Sequence, residues 1–113
     1  MMKLIFICSP YAGDVEQNEL RARRYCRFAY EKGNVPYAPH IHNTQFLDEK
    51  IPCERRKGIE LGLELLKRCD ELWCFGSLLT NGMEEELIFA ARHNIKIRYF
   101  NEKCEEVHVD ECQ

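Results

Sequence analysis

Asp70-Glu71-Leu72-Trp73-Cys74-Phe75-Gly76 leads through Ser77-Leu78-Leu79-Thr80-Asn81-Gly82 into Met83-Glu84-Glu85-Glu86-Leu87-Ile88-Phe89-Ala90-Ala91. The first part is a short apolar run closed by glycine. The last part changes to an apolar period of three to four residues. The stretch predicts strand, loop and helix, which is half of an α/β unit. Around Met83, residues Glu86, Leu87, Ala90 and Ala91 fall on one side of that helix, and Glu85 points roughly the opposite way. Glu86 is therefore a carboxylate beside a packed face, close to a loop at a strand's carboxyl end. Open α/β sheets bind ligands at that edge.

Each of the three glutamates also has a structural reading. With Asn81 as the N-cap, Glu84 stands at N3 and completes a capping box. Glu85 suits the helix dipole as a solvated charge. Glu86 is either a catalytic carboxylate or a flank residue turned outward, and spacing alone leaves both open.

Working outward, Lys3-Leu4-Ile5-Phe6-Ile7-Cys8 is a continuous apolar run, the pattern of a central parallel strand covered on both faces. It ends in Ser9-Pro10-Tyr11-Ala12-Gly13-Asp14, which is neither a GxGxxG nor a Walker loop. This loop puts Ser9, Tyr11 and Asp14 at the sheet's carboxyl edge, with Asp14 as an N-cap. Val15 to Lys32 reads as helix with Ala22, Tyr25, Cys26 and Ala29 buried and Gly33 as its stop. Its arginines Arg21, Arg23, Arg24 and Arg27 alternate with Glu16, Glu19 and Glu31, which describes a salt-bridged face rather than an anion patch. Val35-Pro36-Tyr37-Ala38 predicts a short strand near an edge, because Pro36 cannot donate to a ladder.

The following Pro39-His40-Ile41-His42-Asn43-Thr44 reads as a loop. Its HxH pair has no third ligand at metal-site spacing, so no metal is expected. His40 is either a sugar- or phosphate-binding residue or a histidine satisfied by backbone. Gln45 to Cys53 reads as irregular. Glu54 to Arg68 is helical, with a stripe of Ile59, Gly62, Leu63 and Leu66 widened by Leu61 and Leu65, as if a neighbouring subunit covered it. Asn94 stops the Glu86 helix and Lys96 to Phe100 is a fourth strand. Ile88 and Phe89 stand on that helix's far side without visible support, which suggests a homo-oligomer contact. Val107 and Val109 alternate as in a weak edge strand.

The whole is α/β: a small doubly wound, flavodoxin- or Rossmann-like three-layer sandwich on a four- to five-stranded, mostly parallel sheet. Residues 1–100 form the domain and 101–113 an acidic tail. Its switch point should bring Ser9 to Asp14 opposite Thr80 to Glu86. With 113 residues there is one core, and a net charge of −3 argues against a nucleic-acid polymer or a membrane surface as partner. Seven cysteines without a CxxC pair, two of them (Cys8 and Cys74) in apolar strands, fit a reduced, cytoplasmic protein. No apolar window is long enough to span a bilayer.

Thr80-Asn81-Gly82-Met83-Glu84-Glu85-Glu86-Leu87-Ile88-Phe89-Ala90, together with the loop Cys8-Ser9-Pro10-Tyr11-Ala12-Gly13, resembles the signature of nucleoside 2-deoxyribosyltransferase-like proteins. Order and spacing agree over Lys3 to Phe100. Pro10 to Asp14, Ala38 to His40 and Cys69 to Trp73 are most similar to a small bacterial and phage branch of unassigned function. The resemblance implies that Glu86 attacks C1′ of a deoxynucleoside or its 5′-monophosphate, displacing the base, after which water or a second base accepts the sugar. It implies Tyr11 as a hydroxyl orienting Glu86, and Ser9, Gly13, His40, Thr80 and Gly82 as substrate-binding residues, with no cofactor. A threonine at position 80 can donate to a phosphate but cannot shuttle a proton near neutral pH, which favours a nucleoside monophosphate. The transferases carry an aspartate eight residues before the position of Asp70; here that place is Gly62, and Glu60 or Glu64 is the nearest substitute. A nucleotide-sensing or sequestering module without turnover, or an interaction protein built on its Ile88/Phe89 face, are the alternatives.

Overall fold

The computed structural model describes residues 1–108. Val109 and Cys112 lie outside the described residues. The chain runs β1 (Leu4–Cys8), α1 (Val15–Glu31), β2 (Val35–Tyr37), α2 (Pro39–His42), a 3-10 turn (Asn43–Gln45), α3 (Pro52–Leu66), β3 (Glu71–Phe75), α4 (Asn81–Arg92), β4 (Lys96–Phe100) and β5 (Glu106–Val107). The sheet order is β2-β1-β3-β4-β5, with all pairs parallel except β4 with β5. This is the doubly wound five-stranded architecture read from the sequence. Its switch point lies between β1 and β3.

The two continuous apolar strands divide by alternation, because neighbouring side chains on a strand point to opposite faces. Ile5 and Ile7 of β1 and Trp73 and Phe75 of β3 face α1, where they pack with Tyr25 and Ala29. The Tyr25 and Phe75 rings stack with centroids 4.1 Å apart. Phe6, Cys8, Leu72 and Cys74 face the other way, onto Leu66 of α3 and Met83 and Ala90 of α4. Helices on both faces leave the carboxyl ends of β1 and β3 open between them, and this opening becomes the site.

Helix ends follow local chemistry. Asp14 caps α1 through the Gln17 N–H, and Asn94 after α4 takes the left-handed conformation (φ 58°) expected of a stop. Two of the four α1 arginines pair within the helix as expected, Arg23 to Glu19 and Arg27 to Glu31, whereas Arg21 pairs with Glu102 and Arg24 has no ion pair among the described residues. Asp70 is structural: its carboxylate accepts the Leu4 N–H at 2.7 Å, fixing the entry to β1.

Several local expectations are corrected. Pro39 to Thr44 is not a loop but a helical turn followed by 3-10 structure, started by a proline at the first helical position. Thr80, not Asn81, caps α4, accepting the Met83 N–H at 3.2 Å, so Glu84 lies one place beyond a capping box. Phe89 is half-buried against the second core and stacks on His93 at 4.0 Å, leaving Ile88 as the exposed member of that pair. Ala91 and Leu61 are exposed, so the buried stripes of α4 and α3 are narrower than the pattern suggested.

Candidate active site

The loop after β1 and the first turn of α4 face each other across a cleft of about 460 Å³ at the switch point. That size suits a small molecule. Tyr11, Ala12 and Gly13 form one wall; Thr80 to Met83 form the facing wall, with Glu86 below them. His40 of α2 lies at one side, and Glu49, Lys50, Arg55 and Ile59 close the remaining side.

Glu86 sits one turn into α4, on the flank that carries Met83 and Ala90 into the core, and is 8% exposed. Its Oε1 has no hydrogen-bond partner among the described residues. Burial pushes its carboxyl up to about 8; the Cys8 thiol beside it acts in the opposite direction and the charge of Glu85 adds to the rise. The group is mainly protonated at neutral pH and ionises just above it. A buried oxygen with no partner costs stability, and such groups gather where a ligand completes the site. Glu85 does point the other way, as spacing required, and is held by Arg56 of α3 at 2.9 Å.

His40 is half-buried, and its Nε2 lies 2.8 Å from the Ser9 carbonyl oxygen. A carbonyl only accepts, so Nε2 carries the proton and Nδ1 is left as an acceptor. Burial lowers this imidazole to about 4, outweighing the hydrogen bond to Ser9, so it is neutral near pH 7. A neutral His40 can accept from a sugar hydroxyl but cannot donate a second hydrogen bond to a phosphate. Its ring stacks on Tyr11, centroids 4.8 Å apart, and so positions the β1 loop. Tyr11 lines the cleft with Glu86, but no hydrogen bond joins them; burial, then Glu19 and Glu49, raise its hydroxyl above the usual tyrosine value.

Thr80 Oγ1 accepts from Met83, which leaves its O–H free to donate. Gly13 adopts φ 100°, a conformation that favours glycine, at the point where the loop turns over the cleft. Gly82 has no such constraint, and an added Cβ would meet only the Thr80 hydroxyl, at 3.9 Å. Nothing in the chain itself asks for glycine there. Ser9 is 1% exposed with its Oγ unpartnered, and it faces a neighbouring cavity of about 310 Å³ on the α1 side rather than the main cleft. Thr80 is shared by both spaces.

Sequence reasoning missed Glu49, Lys50 and Arg55, which belong to the irregular stretch before α3 and to the start of that helix. Their side chains reach the cleft only because the short α2 and its 3-10 turn fold the chain back over the carboxyl edge. Local periodicity carries no signal for that. Glu60 and Glu64, the nearest substitutes for a missing acid, point into solvent and pair with Arg56, Lys57, Lys67 and Arg68. Gly62 is buried, with its Cα facing Pro39 and Phe6 rather than the cleft. Among the described residues no cluster of three or more metal-ligating side chains occurs, and no helix is long and apolar enough to cross a membrane.

Comparison with known proteins gives a consistent fold. The model of a family described as "Domain of unknown function (DUF7768)" matches residues 3–100. No curated protein sequence matches the chain. Among solved structures, a 2-deoxyribosyltransferase from Bacillus psychrosaccharolyticus superposes with a TM-score of 0.72 at 14% identity, covering 95% of this chain and 77% of that one. A 2-deoxyribosyltransferase from Leishmania mexicana gives 0.62 at 21%, covering 88% and 64%. A CMP N-glycosidase from Clostridium botulinum gives 0.56 at 22%, covering 88% and 69%. At these identities the likeness is one of fold, and the fold is that of the deoxyribosyltransferases.

Proposed function

The chain belongs to the DUF7768 family, and from that starting point we propose that it cleaves or transfers at the N-glycosidic bond of a 2′-deoxynucleoside 5′-monophosphate. The observation that carries the proposal is the buried Glu86 carboxyl, its Oε1 without a partner among the described residues, in a cleft at the switch point. The solved structures with this fold include enzymes named for deoxyribosyl transfer and for CMP N-glycoside cleavage, which supports the same class of chemistry here.

In this mechanism Glu86, once ionised, attacks C1′. The C1′–N bond breaks, its electron pair stays on the base nitrogen, and that nitrogen takes a proton from water. Water or a second base then attacks C1′, and the glutamate–C1′ bond breaks and restores the carboxylate. The attacker's proton goes to the hydroxide left by the first step, and 2-deoxyribose 5-phosphate or a new deoxynucleotide leaves. Low local polarity strengthens the attraction between the carboxylate and the oxocarbenium-like sugar. Tyr11 and Gly13 line the sugar's side of the cleft, and the Tyr11 hydroxyl orients Glu86 through the bound sugar. The His40 Nδ1 accepts from a sugar hydroxyl. Thr80 O–H and the backbone at Gly82 receive the phosphate, at a helix N-terminus suited to negative charge. Ser9 acts through its carbonyl, which anchors His40.

Incubation with the four deoxynucleoside monophosphates should release free base, and Glu86→Ala should abolish that release. Undiminished release from the variant removes Glu86 from the mechanism. A second reading, a nucleotide-binding module without turnover, is favoured by one observation: Gly62 stands where the transferases carry an acid. It predicts thermal stabilisation by nucleotide with no base released.

A further inference from the structure

The side of the cleft closed by the segment before α3 and the start of that helix differs from the rest of α3. Most basic side chains on and just after α3 are engaged: Arg56 with Glu85 and Glu60, Lys57 with Glu60, Lys67 and Arg68 with Glu64. Lys50 and Arg55 are the exceptions. Both line the cleft, both are exposed, and neither has a carboxylate within ion-pair distance among the described residues. Among the described residues Glu49 is the one acid beside them on that side, so two cations face a single carboxyl group there. This side of the cleft therefore carries more basic than acidic groups within a protein whose net charge is −3.

We infer that Lys50 and Arg55 form the phosphate subsite of this cleft and select a nucleoside 5′-monophosphate over the unphosphorylated nucleoside. This rests on the reading of the cleft as a nucleotide site and adds the counter-charge that Thr80 and Gly82 cannot supply. Thr80 offers one O–H, and a dianion needs cations as well as neutral donors. The two cations contribute differently. Arg55, rooted on the first turn of α3, presents a planar fork, and Lys50 a point charge on a mobile stem. Ile59, one turn further along the same helix face, supplies the apolar surface beside them. The arrangement also explains why a half-irregular segment is folded against a catalytic edge. It brings positive charge to a cleft whose β1-loop wall has no charged side chain.

Equilibrium binding tests this on a Glu86→Gln background, where no turnover intervenes. The probes are the four deoxynucleoside monophosphates, the corresponding nucleosides and inorganic phosphate. Lys50→Gln and Arg55→Gln should each weaken monophosphate binding about tenfold, the range of one charge-assisted hydrogen bond. Nucleoside binding should not change, and the double variant should lose most of its salt dependence. Equal affinity of the parent for monophosphate and nucleoside overturns the inference, as does an unaffected double variant. So does inorganic phosphate binding as tightly as the monophosphate, which would make the subsite one for free phosphate. Base release from unphosphorylated nucleosides alone would sink this subsite and leave Glu86 chemistry standing. Tight monophosphate binding with no turnover by the native chain would do the reverse.

Discussion

Two glutamates bracket the central strand of the sheet, and their fates differ. Glu71 opens β3 at the sheet's amino edge; Glu86 follows β3 at its carboxyl edge, one turn into α4. Their exposures are 5% and 8%. Glu71 is fully engaged: Lys3 donates to one oxygen and the Trp73 indole N–H to the other, both at 2.9 Å, with Arg98 3.7 Å away. Burial works against its charge, but these donors win and hold its carboxyl below the ordinary range. Glu86 is as little exposed but is enclosed more deeply by protein and lacks those donors, and burial drives its carboxyl up to about 8. Low exposure alone does not decide whether a carboxylate is charged. Depth and partners do, and at the edge proposed for substrate the chain supplies depth without the donors.

The largest expected effect is on turnover. Glu86→Gln keeps shape and volume but removes the nucleophile, so base release should fall by at least about a thousandfold, the scale of losing a covalent catalyst. Glu71→Gln should leave turnover intact below the unfolding transition and cost about 1–3 kcal/mol in urea titration, since it strips the charge from hydrogen bonds to Lys3 and Trp73. Variants that exchanged these outcomes, with position 71 controlling rate and position 86 only stability, would end the comparison.

The pH dependence sharpens it. A carboxyl raised from 4.5 in the unfolded chain to about 8 in the folded one contributes stability that is full at low pH and lost as pH climbs towards 8. The stability of Glu86→Gln relative to the native chain should thus improve by about 1.4 kcal/mol per pH unit between roughly 5 and 8, then level off. Glu71 has the opposite sign. Its depressed carboxyl stabilises the fold above the unfolded value, and that gain disappears as pH falls through the folded one. The gap between native chain and Glu71→Gln should therefore close in acid. Thermal melts from about pH 2 to 9 on the three proteins would show the two opposite trends. Activity should meanwhile rise with pH up to about 8, as Glu86 ionises.

How far the sequence foretold this contrast depends on the range of the forces involved. The strands were legible because β1 and β3 are continuous apolar runs, and α4 because Met83, Glu86 and Ala90 recur at helical spacing. That spacing also put Glu86 on the buried side. The N-cap shifts by one residue from its expected place because Thr80 and Asn81 are both good caps, and only backbone geometry separates them. His40 was legible as a site residue, but its commitment to the Ser9 carbonyl joins residues 31 apart. Lys50 and Arg55 were not legible at all, since their approach to the cleft depends on how the turn after α2 packs. The pairing of Glu71 with Lys3 and Arg98 spans most of the chain and leaves no local trace.

A smaller effect probes what stands beneath Glu86. Cys8 is fully buried on β1, with its Sγ 3.9 Å from the Met83 carbonyl oxygen and its thiol beside the Glu86 carboxyl, which it draws downward. Cys8→Ala should therefore move the alkaline rise in the pH–rate profile to higher pH, with a stability cost of about 1 kcal/mol for the lost packing. An unchanged profile would show that burial alone sets the Glu86 ionisation.

The smallest effect concerns Gly62, the position at which the sequence resemblance implies an acid. Gly62 lies inside α3, and glycine there costs helix stability of up to about 1 kcal/mol relative to alanine. A Cβ built on it would sit 3.8 Å from Pro39 Cβ and 4.0 Å from the Phe6 ring, both ordinary contacts. Crowding is therefore not what keeps the residue small, and Gly62→Ala should raise the urea midpoint slightly while leaving turnover and nucleotide affinity unchanged. Loss of activity in this variant, with the fold intact, would mean that the backbone at Gly62 is approached by substrate or moves during the reaction. Glu86 would then depend on α3 as well as on α4, and the paired carboxyl of Glu71 would no longer be the only useful contrast to it.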